Sequence, residues 1–241
     1  MNLKTTLSII SLFSMIATQA LASNEEKFIE IAASIDATLE IVNNSSDDFD
    51  SDDSDDEEPA PAQKELQRYR KAMVDLLKEG VNVHSRDAQG RTPLIHAAVL
   101  GELTVVDLLS DQGANVNAQD EHGNTALIYA VQGGKLEIIE ILLNRGASID
   151  MQNKKGATAL MYAALGDDDY EGRLAIVLFL LSRGADVHIK NKIGGTAFVM
   201  AKSEFNDATA QLLLEHGAEY VSYEEYCKLM EASEKNSAIN S

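Results

Sequence analysis

A unit of 33 residues recurs in this chain, and no other feature constrains its fold as tightly. Residues 87–119, DAQGRTPLIHAAVLGELTVVDLLSDQGANVNAQ, run directly into DEHGNTALIYAVQGGKLEIIEILLNRGASIDMQ, Asp120 to Gln152. The pattern returns from Asn153 (NKKGATALMYAALG…LLSRGADVHIK) and from Asn191 (NKIGGTAFVMAKSE…LLLEHGAE). A fixed period of this size marks units that cannot bury their apolar faces alone and build a core by stacking on their neighbours.

Each position in the unit has a physical job. Gly90, Gly123, Gly156 and Gly194 stand fourth, at the tip of a short hairpin where positive φ is cheap only for glycine. Thr92, Thr125, Thr158 and Thr196 follow two residues later, placed as N-caps for a first helix. Pro93 sits at N1, where its missing N–H costs nothing, and the other units use Ala there. Leu94, Ala97 and Ala98 give an i, i+3, i+4 face small enough for close helix approach. Leu103, Val106, Leu108 and Leu109 are the expected apolar face of a second helix, and Gly113, Gly146, Gly184 and Gly217 its C′ residues.

These units closely resemble ankyrin repeats, from about Arg70 to Glu219. The resemblance implies an all-α solenoid of helix-turn-helix repeats joined by short β-hairpin loops, about four to five repeats counting degenerate caps. It also implies a protein that acts by binding another macromolecule through hairpin tips and the exposed edge of the first helices. Carried over position by position, that surface is Gln89, Arg91, Val99 and Leu100 from the first unit and Glu121, His122, Asn124 and Gln132 from the second. The third and fourth add Lys154, Lys155, Leu165, Lys192 and Ile193. The tips run from mixed to basic, which suits a partner with an acidic end. Tyr129 and Tyr162 share a position with His96 and Met200, and that position reads as packing rather than contact.

The flanks are different in kind. Residues 1–22 read as a signal peptide: Lys4, an apolar run from Leu7 to Ala17, and Ala20-Leu21-Ala22 before Ser23. The chain is therefore expected to be exported, periplasmic or secreted, touching a membrane only transiently. Phe28, Ile31, Ile35, Leu39 and Val42 recur at spacings of three and four, so residues 23–42 read as an amphipathic helix. Residues 43–63 are an acidic linker, with nine carboxylates and no base between Asp47 and Glu58, too polar to pack. Its role is that of a spacer, or of a segment that masks the basic tips. An EF-hand reading fails because the loop beginning at Asp48 has Asp53 where Gly is needed and Pro59 where Glu is needed.

Residues 64–86 form a capping half-repeat, followed by repeats at 87–119, 120–152, 153–190 and 191–219, with a C-terminal helix and tail over 220–241. The third repeat carries an insertion, DDDYEGR, between Gly166 and Leu174, which is expected to lengthen the inter-helix loop. Tyr170 within it joins the candidate contact residues. In the fourth, Phe205 stands where a loop glycine is usual.

Charge narrows the partner. Residues 1–63 hold 14 acidic and 2 basic residues, and the rest hold 25 and 18, within a net charge of −19. The repeats are mildly acidic without a basic face, which argues against nucleic acid. His84, His96, His122, His188 and His216 are scattered without metal-ligand spacing, and no nucleophile elbow, phosphate loop or zinc-protease motif is present. Cys227 is the sole cysteine, so no intramolecular disulfide can form. The expectation is a non-enzymatic binder of a protein, needing no cofactor, metal or small-molecule substrate. An adaptor, an immunity-type inhibitor of a toxin and a host-directed effector would all use the same surface. The alternative from another class is a regulatory subunit of an enzyme.

Overall fold

The computed structural model describes residues 82–166 and 171–222 continuously, together with Ile31, Lys71, Val74, Asp75, Leu77, Lys78, Gly80, Glu224, Glu225, Cys227, Lys228 and Glu231. The expectations for the signal peptide, the acidic linker and Tyr170 fall outside the described residues, as does all but Ile31 of the 23–42 helix. Two compact units are present, Met1–Asn115 and Val116–Ser241.

The first unit contains α1 (Pro93–Leu100) and α2 (Leu103–Asp111), packed as a pair. The second holds three such pairs: α3 (Ala126–Gln132) with α4 (Leu136–Asn144), α5 (Ala159–Ala164) with α6 (Glu171–Ser182), and α7 (Ala197–Ser203) with α8 (Asp207–Glu215). Within that unit α3 packs on α5 and α5 on α7, while α6 packs on α8, so each pair leans on the next. These eight helices are all α, and no strand occurs among the described residues.

The helix starts follow the sequence. Thr92, Thr125, Thr158 and Thr196 are extended, and each hydroxyl accepts the amide three residues on, at 3.3–3.4 Å. The second helices end in a shared motif. In α2, the Gly113 amide donates to Ser110 O at 3.1 Å and the Ala114 amide to Leu109 O at 3.0 Å, with Gly113 at φ 83°. This crossed pair satisfies carbonyls that a helix end would otherwise strand. The same pair of bonds closes α4, α6 and α8 at Gly146, Gly184 and Gly217.

The core repeats with the period. Val105, Val106 and Leu109 of α2 match Ile138, Ile139 and Leu142 of α4, Ile176, Val177 and Leu180 of α6, and Thr209, Ala210 and Leu213 of α8, all buried. This corrects the face expected for α2. Leu103 is 42% exposed and Val105 is inside, because the helix starts at Leu103 and points its first residue outward. The insertion lengthens the inter-helix loop, as expected, to residues 165–170 against 133–135 in the preceding repeat, and it also extends a helix. Glu171, Gly172 and Arg173 add nearly a turn to the front of α6, which has 12 residues where α2, α4 and α8 have 9.

At the amino-terminal side of the first unit, residues 71, 74, 75, 77 and 78 are helical, and Leu77 is buried. The Gln112 side-chain amide donates to Leu77 O at 3.1 Å, and Gly80 at φ 88° turns the chain. This helix and turn lie in the segment where the sequence leads one to expect a capping half-repeat. After α8, the Ser222 amide donates to the Glu225 carboxylate at 3.0 Å while the Glu225 amide donates to Ser222 Oγ at 3.3 Å, a capping box that opens a helix. Residues 224, 225, 227, 228 and 231 are helical.

Candidate partner-binding surface

The loop before each first helix is built around its opening residue. At Asp120, Oδ1 accepts the His122 amide at 2.9 Å and the Asn124 amide at 2.8 Å. The Gly123 amide donates to Asp120 O at 3.0 Å, and the Asp120 amide to Asn124 O at 3.1 Å. A side-chain oxygen thus replaces one rung of a strand ladder, so the loop turns tightly without forming a β-hairpin. Asp87, Asn153 and Asn191 accept the equivalent two amides with Oδ1, all within 2.8–3.1 Å.

The second oxygen or nitrogen of the opener is held from the first helix. Tyr129 donates its hydroxyl to Asp120 Oδ2 at 2.6 Å. His96 Nε2 lies 2.9 Å from Asp87 Oδ2. Asn153 Nδ2 donates to Tyr162 Oη at 2.9 Å and to Asn124 Oδ1 at 2.8 Å. The shared His96/Tyr129/Tyr162 position is therefore a clamp on the loop. In the fourth repeat Met200 has no such donor, and its methyl group instead lies 2.6 Å from where a Cβ on Gly195 would be.

Within the second unit successive tips are bonded to each other. The Lys154 amide donates to His122 O at 2.9 Å, and the Lys192 amide to Lys155 O at 3.0 Å. The approach is close enough that a Cβ on Gly123 would sit 2.7 Å from Lys154 N, and one on Gly156 2.8 Å from Lys192 N. Gln119 Nε2 ties Gly123 O to Gln152 O at 2.7 and 3.0 Å, and Gln152 Nε2 ties Gly156 O to Lys190 O at 2.6 and 3.0 Å. The three tips form one braced edge.

A family model described as "Ankyrin repeats (3 copies)" matches residues 29–120, 62–153 and 117–191, together well over half of the chain. The chain belongs to the ankyrin-repeat family. No curated protein matches it. The first of these matches reaches back to residue 29, upstream of the half-repeat from which the sequence pattern was traced.

Measured against this ankyrin frame, the expected contact residues separate into groups. Gln89, Glu121, His122, Lys154, Lys155, Lys192 and Ile193 are exposed on the tips, and Leu165 is exposed where α5 ends. His122 and Glu121 pair across 3.6 Å, both largely exposed. Val99 and Gln132 are half-buried near the far ends of α1 and α3, and Gln132 O accepts Arg173 Nη2 at 3.4 Å. A seven-residue helix such as α3 is about 10 Å long, which sets the distance from tip to far end. Arg91 is half-buried and committed to its own loop, with Nε 3.0 Å from Asp87 Oδ2 and Nη2 2.9 Å from Gln89 Oε1.

Two residues leave the surface. Leu100 is buried, because it completes the inward face of α1 at its last turn. Asn124 is buried because its carbonyl oxygen holds Asn153 Nδ2 and its amide nitrogen reaches Tyr129 Oη at 3.3 Å. The sequence reading missed the four loop openers, although Asp or Asn in the first place of every repeat was their signal.

Electrostatics distinguish the first tip. Burial of Asp87 acts to raise its pKa, but hydrogen bonds from the Arg91 amide and guanidinium, with the charges of His96 and Arg91, outweigh it and hold the carboxyl below its ordinary value near 3.8. Among the described residues no three potential metal ligands converge, and no helix is long and apolar enough to cross a membrane.

Proposed function

We propose that this ankyrin-repeat protein is exported and works without catalysis, binding a partner protein through its tips and the edge of its first helices. Ankyrin repeats are in general modules for protein–protein interaction. The observation that carries the proposal is the braced edge of the second unit. There the openers spend their polar atoms on the loop, and the tip-to-tip bonds fix the backbone. The side chains of His122, Lys154, Lys155, Lys192 and Ile193 are exposed on that edge. A surface fixed in advance loses little entropy on binding, so few contacts suffice. Export rests on residues 1–22 alone.

The test is capture from the cell envelope fraction and culture medium with two baits. One carries the native tips, and the other has His122, Lys154, Lys155, Lys192 and Ile193 changed to Ala and is checked for native helix content. A partner seen only with the first bait supports the reading. Equal capture by both moves the site elsewhere. Export is checked separately by sequencing the amino terminus of the mature protein, where Ser23 is expected.

A further inference from the structure

The third and fourth tips differ from the first two in charge but not in geometry. Asp87 and Asp120 open the first two loops, whereas Asn153 and Asn191 open the others. The amide oxygens of Asn153 and Asn191 accept the same two backbone N–H groups as the carboxylates do. The exchange leaves the loop intact and removes a negative charge beneath each tip. Around these two loops lie Lys154, Lys155, Lys190 and Lys192, all exposed. None of the four is in an ion pair among the described residues. The Lys192 amide bonds to Lys155 O, so the two lysine-bearing loops stand side by side, with Ile193 exposed beside them.

We propose that these two tips are a receptor for an acidic peptide segment of a partner protein. The proposal rests on the reading of the tips as the binding surface and names what they select. Four exposed lysines on a rigid edge, without an ion pair among the described residues, attract carboxylates, and Ile193 offers an apolar contact that fixes register. A long polyanion is a poorer ligand. From Lys64 onward the chain holds 25 acidic and 18 basic residues, so a nucleic acid reaching beyond the patch meets net negative charge. A short acidic peptide senses only what lies within about 8 Å, the screening length at physiological salt.

Fluorescence anisotropy tests this with a labelled peptide, DDFDSDDSDDEE, binding to the full chain. Its amide counterpart, with every Asp as Asn and every Glu as Gln, and a 12-nucleotide single-stranded DNA serve as controls. The acidic peptide is expected to bind at least ~10-fold more tightly than the amide peptide and to weaken ~10-fold or more on Lys154→Glu, Lys155→Glu, Lys192→Glu. Asn191→Asp, which keeps the oxygen that accepts the Ile193 and Gly195 amides, should weaken binding ~2-fold while leaving the melting curve in place. The peptide copies residues 47–58, so the titration is repeated on a chain with those nine carboxylates as amides. Binding seen only there supports the lysine tips as receptor, with the resident tract as a competitor.

Equal binding of the two peptides, no loss on charge reversal, or tighter binding of DNA than of acidic peptide overturns the proposal. If the peptide fails while the tip-altered bait still loses its partner, the tips bind a partner of other chemistry and only this inference falls. If that bait keeps its partner, the reading of the tips falls.

Discussion

The repeats at 120–152 and 191–219 share one backbone but support it differently. In the former, Asp120 is held by two amides and by the Tyr129 hydroxyl, and Gly134 turns the inter-helix loop at φ 67°. In the latter, Asn191 is held by its two amides with Met200 in the clamp position, and Phe205, 85% exposed, makes the same turn at φ 59°. What survives is the set of bonds that closes each loop on itself. The clamp and the glycine are reinforcements, and the last repeat does without both. It has one reinforcement of its own: Asn206 caps α8 through Thr209 N at 2.7 Å and donates to Gly166 O at 2.9 Å, tying the repeat to its predecessor.

The comparison can be broken most forcefully at the glycines. Gly123→Ala places a Cβ against Lys154 N at a φ of +76°, and is expected to cost about 3 kcal/mol. Gly146→Ala, at φ +87° with nothing within 4 Å, should cost only about 1 kcal/mol. Urea midpoints for the two variants measure the gap, and equal losses would show that tip-to-tip contact contributes nothing.

The clamps come next. Asn153→Ala removes four hydrogen bonds in a buried setting and should cost about 2–3 kcal/mol, against about 1–2 kcal/mol for Asn191→Ala, where only the loop amides are lost. Thermal melts followed by circular dichroism would show the order, and its reversal would mean the Tyr162 clamp is idle.

Asp87 sharpens the contrast by pH. Its folded pKa lies below its ordinary value, so its contribution to stability is complete above the unfolded pKa of about 3.9 and is lost as pH falls through the folded value. Native protein should lose stability in that acid window, and Asp87→Asn should lose less of it, because an amide keeps the loop bonds at every pH. Urea midpoints at pH 3 and pH 6 compare the two proteins.

The smallest effect is a gain. Phe205→Gly relieves a bulky residue in the left-handed region and should stabilise by about 1 kcal/mol, read as a rise in the urea midpoint.

Much of this was legible in the sequence. Threonine caps, C′ glycines and the 33-residue period announce themselves because each depends on a residue type at a fixed offset. The loop openers were as regular, but a side chain closing a turn looks in sequence like any polar loop residue. Asn124 and Leu100 failed as surface residues for related reasons. One is polar yet consumed by Asn153, and the other lies at the inward end of its helix. Leu103 and Val105 exchanged roles because helix phase depends on the exact first residue, which periodicity fixes only to within one or two positions. The insertion became partly helix because three of its residues continue the α6 ladder.

The claim that the tips bind the partner is tested most directly by site-specific photo-crosslinking in the native envelope fraction. A photoreactive phenylalanine would be placed either at Lys155 on a tip or at Glu140 on the exposed side of α4. The account predicts a crosslinked partner from position 155 and none from position 140. A partner captured from position 140 alone would contradict it and place binding on the second helices.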